Sequence, residues 1–187
     1  MNIGSGLKEI GDYAFQNCAL LESLTIPDNV AKIGLKAFYN CAELKTVVIG
    51  NGLESISNNT FDKCGNLALA YIGDGVKNIG DYAFRNCKNL LVTILGKNVE
   101  SIGKYAFYGC KSLVGIVLPD SLKSIGNFAF RNCETLVSVT LGAGIESIGD
   151  HAFYGCKLLT FYTESAKTPD GWSSRYNSSY RPVISGC

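Results

Sequence analysis

One histidine, one tryptophan, four prolines and no excess of either charge are what this 187-residue chain offers where many proteins offer more. With His151 alone to draw on, a Ser-His-Asp or Cys-His centre has a single place to be built, and metal sites resting on paired histidines are excluded. Seventeen Lys+Arg against sixteen Asp+Glu leave a formal charge of +1. No global field therefore draws the chain to nucleic acid or to an anionic membrane. The longest apolar stretches, such as Leu90-Leu91-Val92 before Thr93, fall far short of the roughly 18 residues of a membrane helix. Neither nucleic-acid binding nor membrane insertion is expected. The start Met1-Asn2-Ile3-Gly4 has no basic cluster or apolar core of a secretory signal. Charged residues are also few, at 18% against 47% hydrophobic. That balance excludes a disordered chain. The length suits one domain with a sizeable core.

What the chain has in plenty is order. Seven of its eight cysteines, Cys18, Cys41, Cys64, Cys87, Cys110, Cys133 and Cys156, follow one another at intervals of 23 residues without insertion or deletion. Three residues before each stands a phenylalanine (Phe15, Phe38, Phe61, Phe84, Phe107, Phe130, Phe153), and three after each a leucine, from Leu21 to Leu159. Isoleucine opens every unit, from Ile10 to Ile148. Such a fixed period is the mark of a tandem array.

Each unit reads in three parts. In the fourth, Leu90 to Leu95 is short, rich in β-branched residues and bounded by turn residues, which predicts a strand. A turn of Gly, Asn, Asp or Pro follows, and then another apolar anchor such as Val99. The Gly80-Asp81-Tyr82-Ala83-Phe84 piece is too short for an ordinary helix and predicts one α or 3₁₀ turn, with Asp12, Asp81, Asn127 and Asp150 as N-caps. Before the cysteine stands Asn or Gly in six units of seven, residues that tolerate the left-handed conformation ending such a turn; Lys63 is the exception.

One such unit cannot bury its own apolar residues. Stacking the units aligns the strands into a parallel sheet and joins the anchors into one core. Residues 3–9 form a partial repeat, seven repeats start at Ile10, and the array runs from 1 to 163. A chain that begins as a strand is ending predicts that more of the protein precedes it. Register is lost after Thr163, and the polar segment 164–187, with the lone Trp172, is expected to fold over the last repeat as a cap.

The recurring Ile-Gly-x-x-Ala-Phe-x-Asn-Cys-x-x-Leu, with Ile26-Pro27 and Leu118-Pro119 after the strands, resembles the BspA-type leucine-rich repeat family over residues 3 to about 163. The tail Thr168-Pro169-Asp170-Gly171-Trp172 with Pro182-Val183 is similar to that family's C-terminal cap. The third unit departs from the pattern, with Ser57 and Thr60 for the usual Gly and Ala. The resemblance implies an α/β repeat fold: a right-handed, curved leucine-rich-repeat solenoid with parallel strands on the concave face and short helical or 3₁₀ turns on the convex side. It also implies a cell-surface or secreted location, and adhesin-like binding of a protein or glycan, such as a host extracellular protein.

The residues themselves argue against catalysis. The cysteine column has no close pair for a metal, and its members read as small buried hydrophobes rather than as disulfides. Cys187 stands apart from the column. His151 falls in a column otherwise holding Tyr13, Tyr82, Tyr105 and Phe128, which makes it structural. The glycines Gly50, Gly73 and Gly142 follow strands but open no helix, so they read as turn residues rather than phosphate loops. Glu54, Glu100 and Glu146 read as solvated single charges. No enzyme activity, metal or cofactor is expected.

One feature rises above the scaffold. Alternate strand residues must face away from the core. With the apolar strand ends inward, the outward pairs are Ser23/Thr25, Thr46/Val48, Leu69/Tyr71, Val92/Ile94, Gly115/Val117, Ser138/Thr140 and Phe161/Thr163. The outer units are mostly polar there. Units three to five present Leu69, Tyr71, Val92, Ile94 and Val117, which predicts an apolar patch above the few hundred Å² common on monomers, a frequent mark of contact sites. Tyr71 is the expected anchor. A structural spacer or homo-oligomerisation element without its own ligand is the alternative.

Overall fold

A computed structural model of the chain describes residues 3–142, 144–163 and 170–185. Cys187 and the Thr168-Pro169 part of the tail motif lie outside the described residues. Each repeat contributes one longer strand and one two-residue strand. The longer ones are β2 (Ser23–Ile26), β4 (Thr46–Ile49), β6 (Leu69–Ile72), β8 (Val92–Ile94), β10 (Gly115–Val117), β12 (Ser138–Leu141) and β14 (Thr160–Thr163). The shorter ones are β1 (Glu9–Ile10), β3 (Lys32–Ile33), β5 (Ser55–Ile56), β7 (Asn78–Ile79), β9 (Ser101–Ile102), β11 (Ser124–Ile125) and β13 (Ser147–Ile148), and β15 (Val183–Ser185) follows them all.

The longer strands and β15 form one eight-stranded parallel sheet in the order β15-β14-β12-β10-β8-β6-β4-β2. The shorter ones form a five-stranded sheet, β13-β11-β9-β7-β5, and the pair β1-β3. In both, partners stand one repeat apart: Leu24 pairs with Val47, Val47 with Ala70, Ala70 with Thr93 and Thr93 with Ile116. The architecture is a parallel β-solenoid of about seven turns.

Among the described residues there is no helix, which corrects the expectation of α or 3₁₀ turns on the far side of each coil. The reason lies in the backbone donors. In the first unit Ala14, Gln16 and Cys18 donate within their own turn, to Gly11, Tyr13 and Phe15 at 3.4, 3.0 and 3.3 Å. The alternate N–H groups of Tyr13, Phe15 and Asn17 donate instead to Leu35, Ala37 and Tyr39 of the next repeat at 2.9, 2.7 and 2.8 Å. A 3₁₀ helix needs a continuous run of its own i to i+3 bonds. Here every second one is spent on the neighbour. The result is a run of tandem turns bonded sideways.

That alternation demands two left-handed residues per unit. The one before the cysteine is as expected: Asn17, Asn40, Asn86 and Asn132, with φ near 60°, and Gly109 and Gly155 with φ of 72° and 81°; Lys63 joins them at 65°. The other was not legible in the sequence. It holds Tyr13, Lys36, Asn59, Tyr82, Tyr105, Phe128 and His151, all with φ between 54° and 60°. Side chains rarely adopt this conformation without compensation.

The proposed N-caps also work between repeats. Asp12 Oδ1 accepts from Leu35 N–H at 2.7 Å, Asp81 Oδ1 from Lys104 N–H at 2.7 Å, and Asn127 Oδ1 from Asp150 N–H at 2.9 Å. Asp150 accepts from the Ser173 hydroxyl. With no helix to cap, each carboxylate or amide serves the coil stacked upon it. Asp28, Asn51 and Asp74 do the same after the strands. The third unit keeps this geometry despite its substitutions. Thr60, fully buried, donates its hydroxyl to Ser57 O at 2.7 Å, and Ser57 donates to Ile33 O.

The core is a set of columns. Phe15 to Phe153 stack ring on ring at 5.1 to 5.5 Å, with interplanar angles of 18° or less. Beside them run the cysteines. Each thiol from Cys41 to Cys156 donates to the phenylalanine carbonyl one repeat back, at 3.1 to 3.2 Å. These six are buried and unbridged, and Cys18, in the first repeat, is half-buried. Burial pushes the Cys87 and Cys110 thiols well above their ordinary pKa.

The last repeat breaks the period. β14 pairs with β12 as Ser138↔Thr160 and Val139↔Phe161, a step of 22 residues. A one-residue slip turns every side chain to the other face. Phe161 and Thr163, expected outward, are therefore buried. The Phe161 ring stands edge-on to Phe153 at 4.9 Å and to Tyr176 at 5.6 Å. Trp172 lies next to this cluster, 8% exposed, its indole N–H donating to Ile145 O at 3.2 Å, and β15 extends the large sheet by one strand.

Candidate functional site

The face of the eight-stranded sheet that points away from the core carries the expected apolar residues in register. Leu69 on β6 sits beside Val92 on β8, and Tyr71 beside Ile94. Ile94 in turn sits beside Val117 on β10, while Val92 meets Gly115. All five named residues are exposed: Leu69 37%, Tyr71 43%, Val92 44%, Ile94 48% and Val117 82%. Parallel pairing places side chains of adjacent strands about 4.8 Å apart, so these rows merge into one surface.

Two features widen the patch beyond the five residues that the sequence singled out. Val48 on β4 pairs with Tyr71 and is exposed, which carries the patch one strand further. Leu91, Val114 and Val137, each about half exposed, stand just before their strands and are linked by successive Val114 N–H to Leu91 O and Val137 N–H to Val114 O bonds. They fall outside the alternation of the strands. A 23-residue comparison of that column, Glu22, Lys45, Ala68, Leu91, Val114, Val137, shows its change from charged to apolar.

The patch has a hollow of about 680 Å³ at its C-terminal end, between β8, β10 and β12. Two causes produce it. Gly115 puts no side chain into its row, and a Cβ there would meet no atom within 4 Å. The ladder also thins, because β10 and β12 pair only at Gly115↔Ser138 while β8 and β10 pair at three positions. The core shows through the seam, with Ile116 and Leu118 keeping 6% and 7% exposure. Thr93, also lining the hollow, buries a hydroxyl that has no protein partner. Val92, Ile94, Val114 and Val117 supply apolar walls, and Ser138 and Thr140 the polar rim. Such a mix of apolar wall and few polar groups suits recognition of a partly apolar group.

The other candidates are tied into the scaffold. His151 stacks on Phe128 at 5.5 Å and meets Tyr154 edge-on at 5.8 Å. Glu54 and Glu100 are not single charges: they pair with Lys77 and Lys123 of the next repeat at 3.0 and 3.3 Å, exposed contacts of small energetic weight. Asp62 is the exception, buried and held bidentately by Arg85 at 3.0 and 2.6 Å. Among the described residues no group of three His, Cys, Asp or Glu gathers as metal ligands, and no helix is long and apolar enough to cross a membrane.

Comparison with known proteins agrees with this architecture. A family model described as a BspA type leucine rich repeat region matches in six copies, over residues 1–113 and 100–169. No curated protein matches the chain. Among solved structures, a leucine-rich repeat protein of T. pallidum is 27% identical with a TM-score of 0.64, over 75% of this chain and 64% of that one. One from Bacteroides ovatus is also 27% identical, with a TM-score of 0.55 over 96% of this chain and 59% of that one. The pneumococcal vaccine antigen PcpA, 22% identical, shares the fold with a TM-score of 0.57 over 96% of this chain and 59% of its own. The chain thus spans less than two thirds of the length of each.

Proposed function

The chain belongs to the BspA-type leucine-rich repeat family, and from that premise we propose that it is a non-catalytic binding module of a cell-surface or secreted protein. It contacts a protein ligand through the outward face of the large sheet. Residues 1–163 are the working array, and 164–187 serve as its cap. The surface placement follows the family resemblance. The contact rests on one observation: Val48, Leu69, Tyr71, Val92, Ile94 and Val117 line up across four adjacent strands, exposed, where the outer repeats carry Ser and Thr. Exposed apolar side chains in one continuous patch lower solubility unless something covers them. Tyr71 is the anchor, an aromatic ring with a polar tip flanked by Val48 and Ile94 within the row.

The test is a surface-binding assay against a panel of immobilised extracellular proteins, with the Tyr71→Ser, Ile94→Lys double variant beside the unchanged chain. Binding falls at least about a hundredfold, the loss expected when two central contacts are removed, while the thermal transition moves by only a few degrees. Light scattering of the isolated chain accompanies it. A dimer that the double variant dissolves supports the self-association alternative, and undiminished binding with a monomeric mass refutes the sheet face as the contact.

A further inference from the structure

A second site lies on the turn side of the coils, away from the sheet face, and stands on separate observations. Tyr82, Arg85, Asn86, Tyr105, Tyr108 and Arg131 line a cleft of about 440 Å³. Tyr82 and Tyr105 stack at 5.0 Å and 6°, and Tyr108 leans on Tyr105 at 5.7 Å and 57°. The two guanidinium groups differ in one respect. Arg85 lies 4.8 Å over the Tyr82 ring and has its carboxylate, Asp62, one repeat back. Arg131 lies over Phe128 and Tyr154 at 5.5 and 5.0 Å, but the residue one repeat behind it is Tyr108. No acid takes the place of Asp62. Its Nε–H is buried without any protein acceptor.

A buried N–H left unpaired is costly, and more so on a charged group, even where, as at Arg131, the residue as a whole is half-buried. The cleft around it holds cations, phenol hydroxyls and a carboxamide but no carboxylate of its own. An entering anion supplies the missing acceptor in the geometry a guanidinium favours. Phenol rings and their hydroxyls suit the faces and hydroxyls of a pyranose, whereas a bare oxyanion would use the guanidinium alone and leave the three tyrosines of the cleft without a role. We propose that this cleft binds an acidic sugar unit, a uronate or a sulfated hexose, with Arg131 pairing the anionic group and Tyr105, Tyr108 and Asn86 meeting the ring.

The test is an NMR titration of the whole chain, following the arginine Nε–H resonances, with glucuronate, glucose 6-sulfate, neutral glucose and inorganic sulfate as separate probes. The Arg131 Nε–H signal shifts with both acidic sugars, at an affinity at least about tenfold above glucose, the worth of one charge-assisted hydrogen bond. Added salt weakens the binding. Arg131→Gln loses that preference, and Tyr71→Ser keeps it, which separates this site from the sheet face. Inorganic sulfate binding as tightly as the sulfated sugar overturns the sugar assignment. Equal affinity for glucose and glucuronate, or no shift with any probe, overturns the site. Should Arg131→Gln fail to fold, the comparison of the four probes on the unchanged chain decides alone, with Tyr108→Phe as the second variant.

Discussion

At the scale of the residue, the cysteines show how a repeated side chain can be reactive in type and inert in place. Six thiols are buried against phenylalanine carbonyls, and burial raises Cys87 and Cys110. The thiolate is the species that alkylates, so at pH 8 iodoacetamide spares Cys87 and Cys110 in the folded chain and labels both in urea, as peptide mass spectrometry will show. Half-buried Cys18 reacts first among the described ones. The sign for stability follows. An unfolded thiol ionises near 8.5, while folded Cys87 and Cys110 stay neutral well above it. The unfolded state therefore loses protons first, and stability present below about pH 8.5 declines as pH rises, by up to about 1.4 kcal/mol per pH unit for each thiol. Urea titrations of the chain and of Cys110→Ala between pH 8 and 10 check this: the variant shows the shallower slope. Equal slopes would contradict the burial argument.

At the scale of the element, what decides the shape of a coil is how close the next one comes. Gly75 illustrates it. A Cβ built there lies 1.9 Å from Asn51 O, a backbone atom one repeat back that no side-chain movement can clear. Gly65, in contrast, has nothing within 4 Å. Gly75→Ala is expected to cost about 3 kcal/mol, the upper range for forced overpacking, and Gly65→Ala to stay within about 0.5 kcal/mol. Equal effects in urea unfolding would mean that the coils are not in such contact. The same closeness explains the tandem turns. Left-handed residues such as Tyr82 and Tyr105 are strained singly, yet each donates its N–H to the next coil, to Lys104 O and Asn127 O at 2.9 and 3.0 Å, and stacks its ring on its neighbour. The strain is offset between repeats.

At the scale of the whole molecule, a solenoid is only as stable as its ends, because a terminal coil has one neighbour instead of two. Trp172 covers the last one. It bridges to Ile148, donates to Ile145 O, and lies 5.3 Å from the Tyr176 ring that in turn meets Phe161. Trp172→Ala should cost about 3–5 kcal/mol, as for other large buried rings. Hydrogen exchange should quicken first in residues 144–163, the coil against which Trp172 packs, and spread inward. Circular dichroism unfolding together with exchange measured along the chain tests this; a uniform loss of protection, or an unchanged midpoint, would show that this segment does not seal the array.

The 23-residue period determined by itself which residues are neighbours across coils, because equal-length units can stack only in register. From it follow the parallel sheet, the buried Phe and Cys columns, the left-handed residue, Asn or Gly in six units of seven, before each cysteine, and the five outward residues from Leu69 to Val117. Direction was decided elsewhere. Whether a turn closes into a helix depends on where alternate N–H groups find acceptors, and those acceptors belong to the next coil. Phe161 turned inward because its ring gains more against Phe153 and Tyr176 than in water, a choice that shortened one step to 22 residues. Leu91, Val114 and Val137 lie outside strand alternation, and the hollow beside Gly115 needs the thinned pairing of β10 with β12. The unpaired Nε–H of Arg131 likewise emerges only once Tyr108 is seen to occupy the place that Asp62 holds for Arg85. A repeat encodes its contacts once per unit. Its exceptions are settled by packing, which compares each unit with the one actually beside it.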